Sequence, residues 1–272
     1  MNNEILDRAY KKAINGGTSG FAAMTFQFGS LMWMRTIVNY QYRNGGSFTE
    51  SFKRLYAHGG ARRFYRGVSF ALMQAPLSRF GDTAMNVGMM TLLEDSDLNI
   101  ASKTFLGSCG AAMWRVAIMP IDTCKTGLQV NGKNALPILR EKIKVNGFRV
   151  MYHGSLASAS STLVGHFPWF FTYNYLNEKI PKQEDGLSKL SRSAIIGFSS
   201  SSISDVCSNS LRVIKTNRQT AHNNLSYIQL IKNIVNNDSV ISLFTRGLKT
   251  KIITNGIQGM MFTIMFDYLR NN

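Results

Sequence analysis

No run of about 20 consecutive apolar residues, the usual mark of a membrane-spanning helix, occurs anywhere in this chain. Acid is scarce as well: fifteen Asp and Glu face thirty-one Lys and Arg, for a formal charge of +16. Cysteine is limited to Cys109, Cys124 and Cys207, without pairing or metal spacing, so neither a disulfide framework nor a structural zinc site is indicated. Their plainer reading is as reduced, small core residues. The four histidines, His58, His153, His166 and His222, are scattered without cysteine or carboxylate partners at ligand spacing, and no metal site is expected. There is no Gly-x-Gly-x-x-Gly and no phosphate loop, and the serines of "GFSSSSISD" lack a His and acid partner for nucleophilic chemistry. The chain is therefore not expected to be an enzyme or to carry a cofactor. Its opening, "MNNEILDRAYKKAINGG", contains acids and no apolar core of the kind a secretory signal needs.

What is present points toward a membrane. Excess positive charge suggests anionic partners such as nucleic acid, lipid head groups or acidic small molecules. Only 17% of residues are charged, however, while aromatics reach 11% and methionines number 14. That balance disfavours a soluble basic nucleic-acid binder. If the chain spans a bilayer despite its interrupted apolar runs, its polar residues must face a bundle interior or a water-filled cavity.

Internal repetition organises the chain. Lys125, Thr126 and Gln129 have counterparts ninety residues earlier in Arg35, Thr36 and Asn39, and ninety residues later in Lys215, Thr216 and Gln219. Gly17, Gly107 and Gly197 obey the same offset. Each copy then reaches an aromatic and basic segment ending in glycine: "RRFYRG" at Gly67, "RVMYHG" at Gly154 and "SLFTRG" at Gly247. The expected units are 1–98, 99–184 and 185–272, forming one integrated domain. Each reads as long helix, short amphipathic helix, long helix. The first long helices are expected near 13–42, 102–131 and 188–219, the second near 67–94, 154–180 and 247–271. At 1.5 Å per residue these are roughly 36 to 48 Å long, enough to cross a bilayer with tilt. Between them, "SFTESFKRLYAH" places Phe48, Phe52, Leu55 and Tyr56 at helical spacing, suited to a membrane surface.

One helix is peculiar. "WRVAIMPIDTCKTGLQV" sets Pro120, Asp122 and Lys125 in apolar surroundings, where the proline should kink the helix and the charges should be costly. Three repeats of two long helices, with Pro-x-Asp-x-x-Lys on the first helix of a repeat, resemble the mitochondrial carrier family over nearly the whole chain. The resemblance implies an all-α membrane protein. Six transmembrane helices, in three pseudo-symmetric pairs, would surround a central cavity, with short amphipathic helices on the matrix side. It implies solute transport across the mitochondrial inner membrane by alternating access, a monomer, and lipid partners that include cardiolipin.

The same resemblance assigns two gates. At the matrix gate only the second repeat keeps Pro120, Asp122 and Lys125; the first has Ser30, Met32 and Arg35, and the third Ser210, Arg212 and Lys215. Since the family pairs the acid of one repeat with the base of the next, Asp122 should meet Lys215, leaving one acid among Arg35, Lys125, Arg212 and Lys215. At the cytosolic gate the third repeat keeps Phe266, Asp267 and Arg270, whereas the others read Asn86 and Met90, then Tyr173, Asn174 and Asn177. An Asn174 to Arg270 contact is the best link available there.

The family's solute contact points fall on Gln74, on Ser161 with Thr162, and on Thr254. Arg115 lies two turns from Asp122 on the same face, and its ninety-offset counterpart in the third repeat is Asp205, so these two should lie at one depth and pair or hold the ends of a zwitterion. Arg79 and Asp82 share a helix face, and His166 occupies the position corresponding to Arg79. Ser161 and Thr162 match neither the nucleotide nor the amino-acid signature of the family. The cations favour an anionic or zwitterionic metabolite. Three readings stand beside one another: a solute carrier, a carrier-like membrane scaffold without transport, and a basic helical-repeat nucleic-acid binder.

Overall fold

The computed structural model describes residues 29–92, 100–181 and 186–271. Gly17 and the expected helix start at residue 13 lie outside this range. Among the described residues there are helices and turns and no strands. The first helix, α1, covers residues 29–44. It is followed by α2 (Phe48–Ala57), α3 (Gly60–Phe64) and the long α4 (Val68–Leu92). Next come α5 (Ile100–Ala117), α6 (Met119–Asn131), α7 (Ala135–Asn146) and α8 (Ser155–Lys179). The chain closes with α9 (Gly186–Thr220), α10 (Tyr227–Asn237), α11 (Val240–Thr245) and α12 (Leu248–Asn271).

The second long helices start and end close to expectation, but the span expected at 102–131 is two helices, broken at Ile118. Pro120 explains the break, because it has no N–H to donate back to the preceding turn. The Ile118 N–H closes α5 on the Trp114 carbonyl at 3.1 Å, and α6 restarts with Pro120 in its first turn. In the third group Ser210 stands at the corresponding position and α9 continues unbroken for 35 residues. The proline break is thus particular to the helix that carries Asp122.

Side-chain caps start α2, α10 and α11. Ser47 accepts from the Glu50 N–H at 3.2 Å, and Ser226 with Gln229 forms a reciprocal capping box at the head of α10. Along α2, Leu55 is buried against Ile37 and Phe64, while Phe48, Phe52 and Tyr56 stack pairwise on the exposed side with ring centroids 6.4 and 6.2 Å apart.

Three equivalent junctions close the assembly into a ring. Gly67, Gly154 and Gly247, each at positive φ, precede α4, α8 and α12. A Cβ on Gly67 would lie 3.0 Å from the Lys125 carbonyl of α6, and one on Gly154 would lie 3.0 Å from the Lys215 carbonyl of α9. On Gly247 it would lie 3.2 Å from the Val38 carbonyl of α1. Glycine is needed at each for both its backbone conformation and the close approach. A cation reinforces each junction by donating to the carbonyl end of the facing helix, where the helix dipole favours positive charge. Arg63 reaches the Val130 carbonyl at 2.7 Å, Lys142 the Ala221 carbonyl at 2.9 Å, and Arg246 the Arg43 carbonyl at 3.2 Å. Burial and neighbouring cations push Lys142 down to about 8 and Arg63 down to about 10.

Among the described residues no helix is long and apolar enough to cross a membrane. The distribution of polarity is nevertheless inverted relative to a water-soluble bundle. Leu156, Val164, Phe167, Phe171 and Tyr175 form an exposed stripe on α8, and Ile195, Phe198, Ile203 and Val206 are exposed on α9. Buried instead are Ser158, Ser161 and Thr172 on α8, with Ser200, Ser204, Asp205, Ser208 and Asn209 on α9.

Candidate functional site

Inside the ring, Asp122 is 3% exposed and collects four donors. Its Oδ1 accepts from Lys125 Nζ at 2.8 Å, one turn along α6, and from Gln74 Nε2 of α4 at 2.7 Å. Its Oδ2 accepts from Lys215 Nζ of α9 at 2.7 Å and from Gln219 Nε2 at 2.9 Å. Lys125 also donates to Gln74 Oε1. One carboxylate therefore ties α4, α6 and α9 together, and the Asp122 to Lys215 link expected from the sequence is present. Gln74, anticipated as a solute contact, is engaged in this knot.

A cavity of about 240 Å³ borders the knot. Around it stand Gln74, Arg115, Ser161, Thr162, His166 and Arg212, with Asp122 and Lys215 at its edge. Five of the nine residues expected to touch solute thus come together: Gln74, Arg115, Ser161, Thr162 and His166. The His166 ring nitrogen Nδ1 lies 3.0 Å from the Ser108 hydroxyl, and Thr162 donates to the Ser158 carbonyl at 3.1 Å within α8. Among the described lining residues three cations face one carboxylate, a net positive charge, and the hydroxyls and amide add neutral polar groups.

Asp205 is engaged differently from expectation. Its two oxygens are taken by Arg212, at 2.5 Å, and by Asn255 Nδ2 of α12. The pairing with Arg212 needs no precise spacing between helices, because the two residues sit seven apart on one face of α9. Arg115 borders the cavity while Asp205 does not. The expected Arg115 to Asp205 couple is thus replaced by an Asp205 to Arg212 couple, which Ser161 extends by accepting from Arg212 Nε at 3.4 Å.

Other expected residues fall elsewhere. Arg35 and Thr254 border a second cavity, and Thr254 is 1% exposed and donates to the Thr250 carbonyl at 2.6 Å. Arg79 and Asp82 belong to α4, but their side chains lie outside the described residues, as do those of Asn86, Met90, Phe266, Asp267 and Arg270. Asn174 is exposed on α8. Cys109 and Cys124 are half-buried, Cys207 is exposed, and none is in a disulfide. Among the described residues no group of three potential metal ligands gathers.

The sequence reading missed Lys251. It lies four residues after Gly247, where the corresponding positions after Gly67 and Gly154 hold Ala71 and Ser158. Alignment on the glycines would have shown it as a charge where the other copies carry small residues.

The ring of long helices, the inward charges and the knot at Asp122 define a helical-repeat protein built around a polar internal cavity. Two tandem segments, residues 96–184 and 187–272, match the sequence profile of the family described as mitochondrial carrier protein. The chain belongs to the mitochondrial carrier family. The peroxisomal adenine nucleotide transporter 1 of Saccharomyces cerevisiae (strain ATCC 204508 / S288c) is 26% identical over 53% of this chain and 54% of its own length. A mitochondrial carrier-like protein of Acanthamoeba polyphaga mimivirus is 26% identical over 53% of this chain and 57% of its own. The chain spans about half the length of the curated relatives it matches.

Proposed function

We propose that the protein carries a small anionic or zwitterionic metabolite across the mitochondrial inner membrane by alternating access. The observation that supports this most is the inverted polarity: apolar stripes on the outward faces of α8 and α9 surround a charged, hydroxyl-rich cavity. Such stripes suit lipid, and the buried serines, threonines and amides suit helix packing and water inside the ring. On this reading the units 1–98, 99–184 and 185–272 each contribute two spanning helices, giving six in all. The short helices α2, α7 and α10 lie at the matrix surface, and the protein works as a monomer among lipids that include cardiolipin.

The knot at Asp122 is then the matrix gate in its closed state, with Pro120 setting the bend of α6 and Arg35, Lys125, Arg212 and Lys215 as its cations. The cytosolic gate would use Asn174, Asp267 and Arg270. Solute held by Arg115, Ser161, Thr162 and His166, with Gln74 and Thr254 nearby and Arg79 and Asp82 farther along α4, would compete with Asp122 for Lys215 and so loosen the floor. A carboxylate or phosphoryl group suits this role because it accepts the same charge-assisted hydrogen bonds. The yeast relative is named for an anionic solute, which agrees with the class but not with a particular molecule.

Two experiments test this. Release of the protein by alkaline carbonate would contradict spanning. Reconstitution with labelled carboxylates, amino acids and nucleotides should give flux for at least one anionic or zwitterionic solute; folded protein without flux for any would leave a carrier-like scaffold.

A further inference from the structure

On the side of the Asp122 knot away from Arg115 and His166 lies the second cavity, of about 210 Å³. Arg35 of α1, Lys125 of α6, Arg212 and Lys215 of α9, and Lys251 of α12 border it, with Asp122 the only acid among the described lining residues. Even with Asp205 counted, which bonds Arg212, the described residues carry a net formal charge of +3. Asp122 is already shared by Lys125 and Lys215, and Asp205 by Arg212 and Asn255. Lys251 donates to the neutral Asn255 Oδ1 at 3.0 Å.

A second, independent feature marks the same place. Tyr42 is 3% exposed and borders this cavity; Arg212 lies beside its hydroxyl, but among the described residues the hydroxyl proton has no acceptor. A hydroxyl so buried ordinarily has a partner. Neither observation needs the other: one concerns charge, the other an unused donor. Lys251 is also peculiar to this copy of the repeat, since Ala71 and Ser158 fill the corresponding places without charge.

We infer that this cavity is a binding site for a small oxoanion, of phosphate or sulfate type, which supplies the negative charge that the degenerate floor lacks. The anion accepts from Lys251, Arg35 and the Tyr42 hydroxyl and lowers the mutual repulsion of the cations around Asp122. It is distinct from the solute in the 240 Å³ cavity, the two cavities sharing Asp122, Arg212 and Lys215 as their common wall. Its occupancy would stabilise the closed floor. The site does not depend on transport, so its failure and the failure of the carrier reading can be told apart.

The test uses the full chain purified in a neutral detergent without anionic lipid, with labelled inorganic phosphate as the probe in equilibrium dialysis. One phosphate should bind per chain, displaced by sulfate and not by chloride, and it should raise the melting temperature. Lys251→Ser, which installs the residue that repeat two carries, should weaken binding about tenfold or more, the effect of losing one charge-assisted hydrogen bond. Lys251→Arg should retain binding within about threefold, and this variant guards against a fold effect because it keeps the charge. Arg115→Gln, in the other cavity, should leave phosphate affinity unchanged. Absence of saturable phosphate binding by the wild-type chain overturns the proposal. So does stabilisation by vesicles of anionic lipid with none by phosphate, or loss of binding in Arg115→Gln with retention in Lys251→Ser.

Discussion

Replacing Asp122 with Asn perturbs the point on which the gate reading rests. The carboxylate takes Lys125 at 2.8 Å, Lys215 at 2.7 Å, Gln74 at 2.7 Å and Gln219 at 2.9 Å while itself 3% exposed. An amide of the same shape leaves the two amides nearby still satisfiable but sets two lysines against each other without an acid. Breaking a buried pair by removing one partner costs about 3–5 kcal/mol. The lysine side chains here keep 18% and 21% of their exposure, so the lower end applies. A loss of about 3 kcal/mol from the closed state alone shifts its ratio to the open state by about a hundredfold. The assay replaces Cys109, Cys124 and Cys207 with Ser and introduces Ser161→Cys, which borders the 240 Å³ cavity. A membrane-impermeant maleimide, supplied to one face of proteoliposomes at a time, then reports access. From the floor side, Asp122→Asn should label the cysteine faster by up to about a hundredfold, with access from the other face unchanged. Equal rates, with an unchanged melting temperature, would refute the idea that Asp122 holds this floor shut.

Two further predictions concern the ring and its pH dependence. Gly154→Ala places a Cβ 3.0 Å from the Lys215 carbonyl at φ +87, so the variant should lose about 1–3 kcal/mol and melt at a lower temperature; an unchanged melting temperature would mean that this junction is not tight. Lys142 is held at about 8 by burial, below its ordinary 10.5, so the unfolded chain binds the extra proton between these values and stability should rise with pH across that window. Lys142→Met should reduce this rise between pH about 8 and 10, and identical slopes in thermal melts would contradict the assignment.

Much of the helical framework is legible from residue types alone, because the ninety-residue offset sets the repeat and the three glycines mark where the second long helix of each copy begins. Gly67, Gly154 and Gly247 carry local information: their positive φ and the carbonyl packed against each leave no room for a side chain. Asp122 with Lys215 was legible for a different reason, through the family resemblance, which pairs the acid of one repeat with the base of the next. What periodicity could not show is competition between partners. Asp205 had a candidate across the ring in Arg115 and another along its own helix in Arg212, and the intrahelical one wins because it does not depend on how far apart the helices stand. The break at Ile118 is a matter of degree that a proline announces but does not size; α4 and α8 carry Pro76 and Pro168 without interruption. Lys251 was hidden because the family's contact points on the second helices lie about seven residues after each glycine, and this residue lies four after Gly247. The cavity's composition was readable as a list, but its division into two chambers at Asp122, Arg212 and Lys215 depends on side-chain placement.

The most direct test of the account is uptake by proteoliposomes containing the purified chain, with labelled carboxylates, amino acids and nucleotides offered one at a time, for the wild type and for Arg115→Gln. The account predicts saturable flux for at least one anionic or zwitterionic solute, reduced about tenfold or more when the cavity arginine is neutralised, as expected for loss of a charge-assisted contact. Flux that is indifferent to Arg115→Gln, or no flux for any solute from protein with a sharp thermal transition, would contradict it.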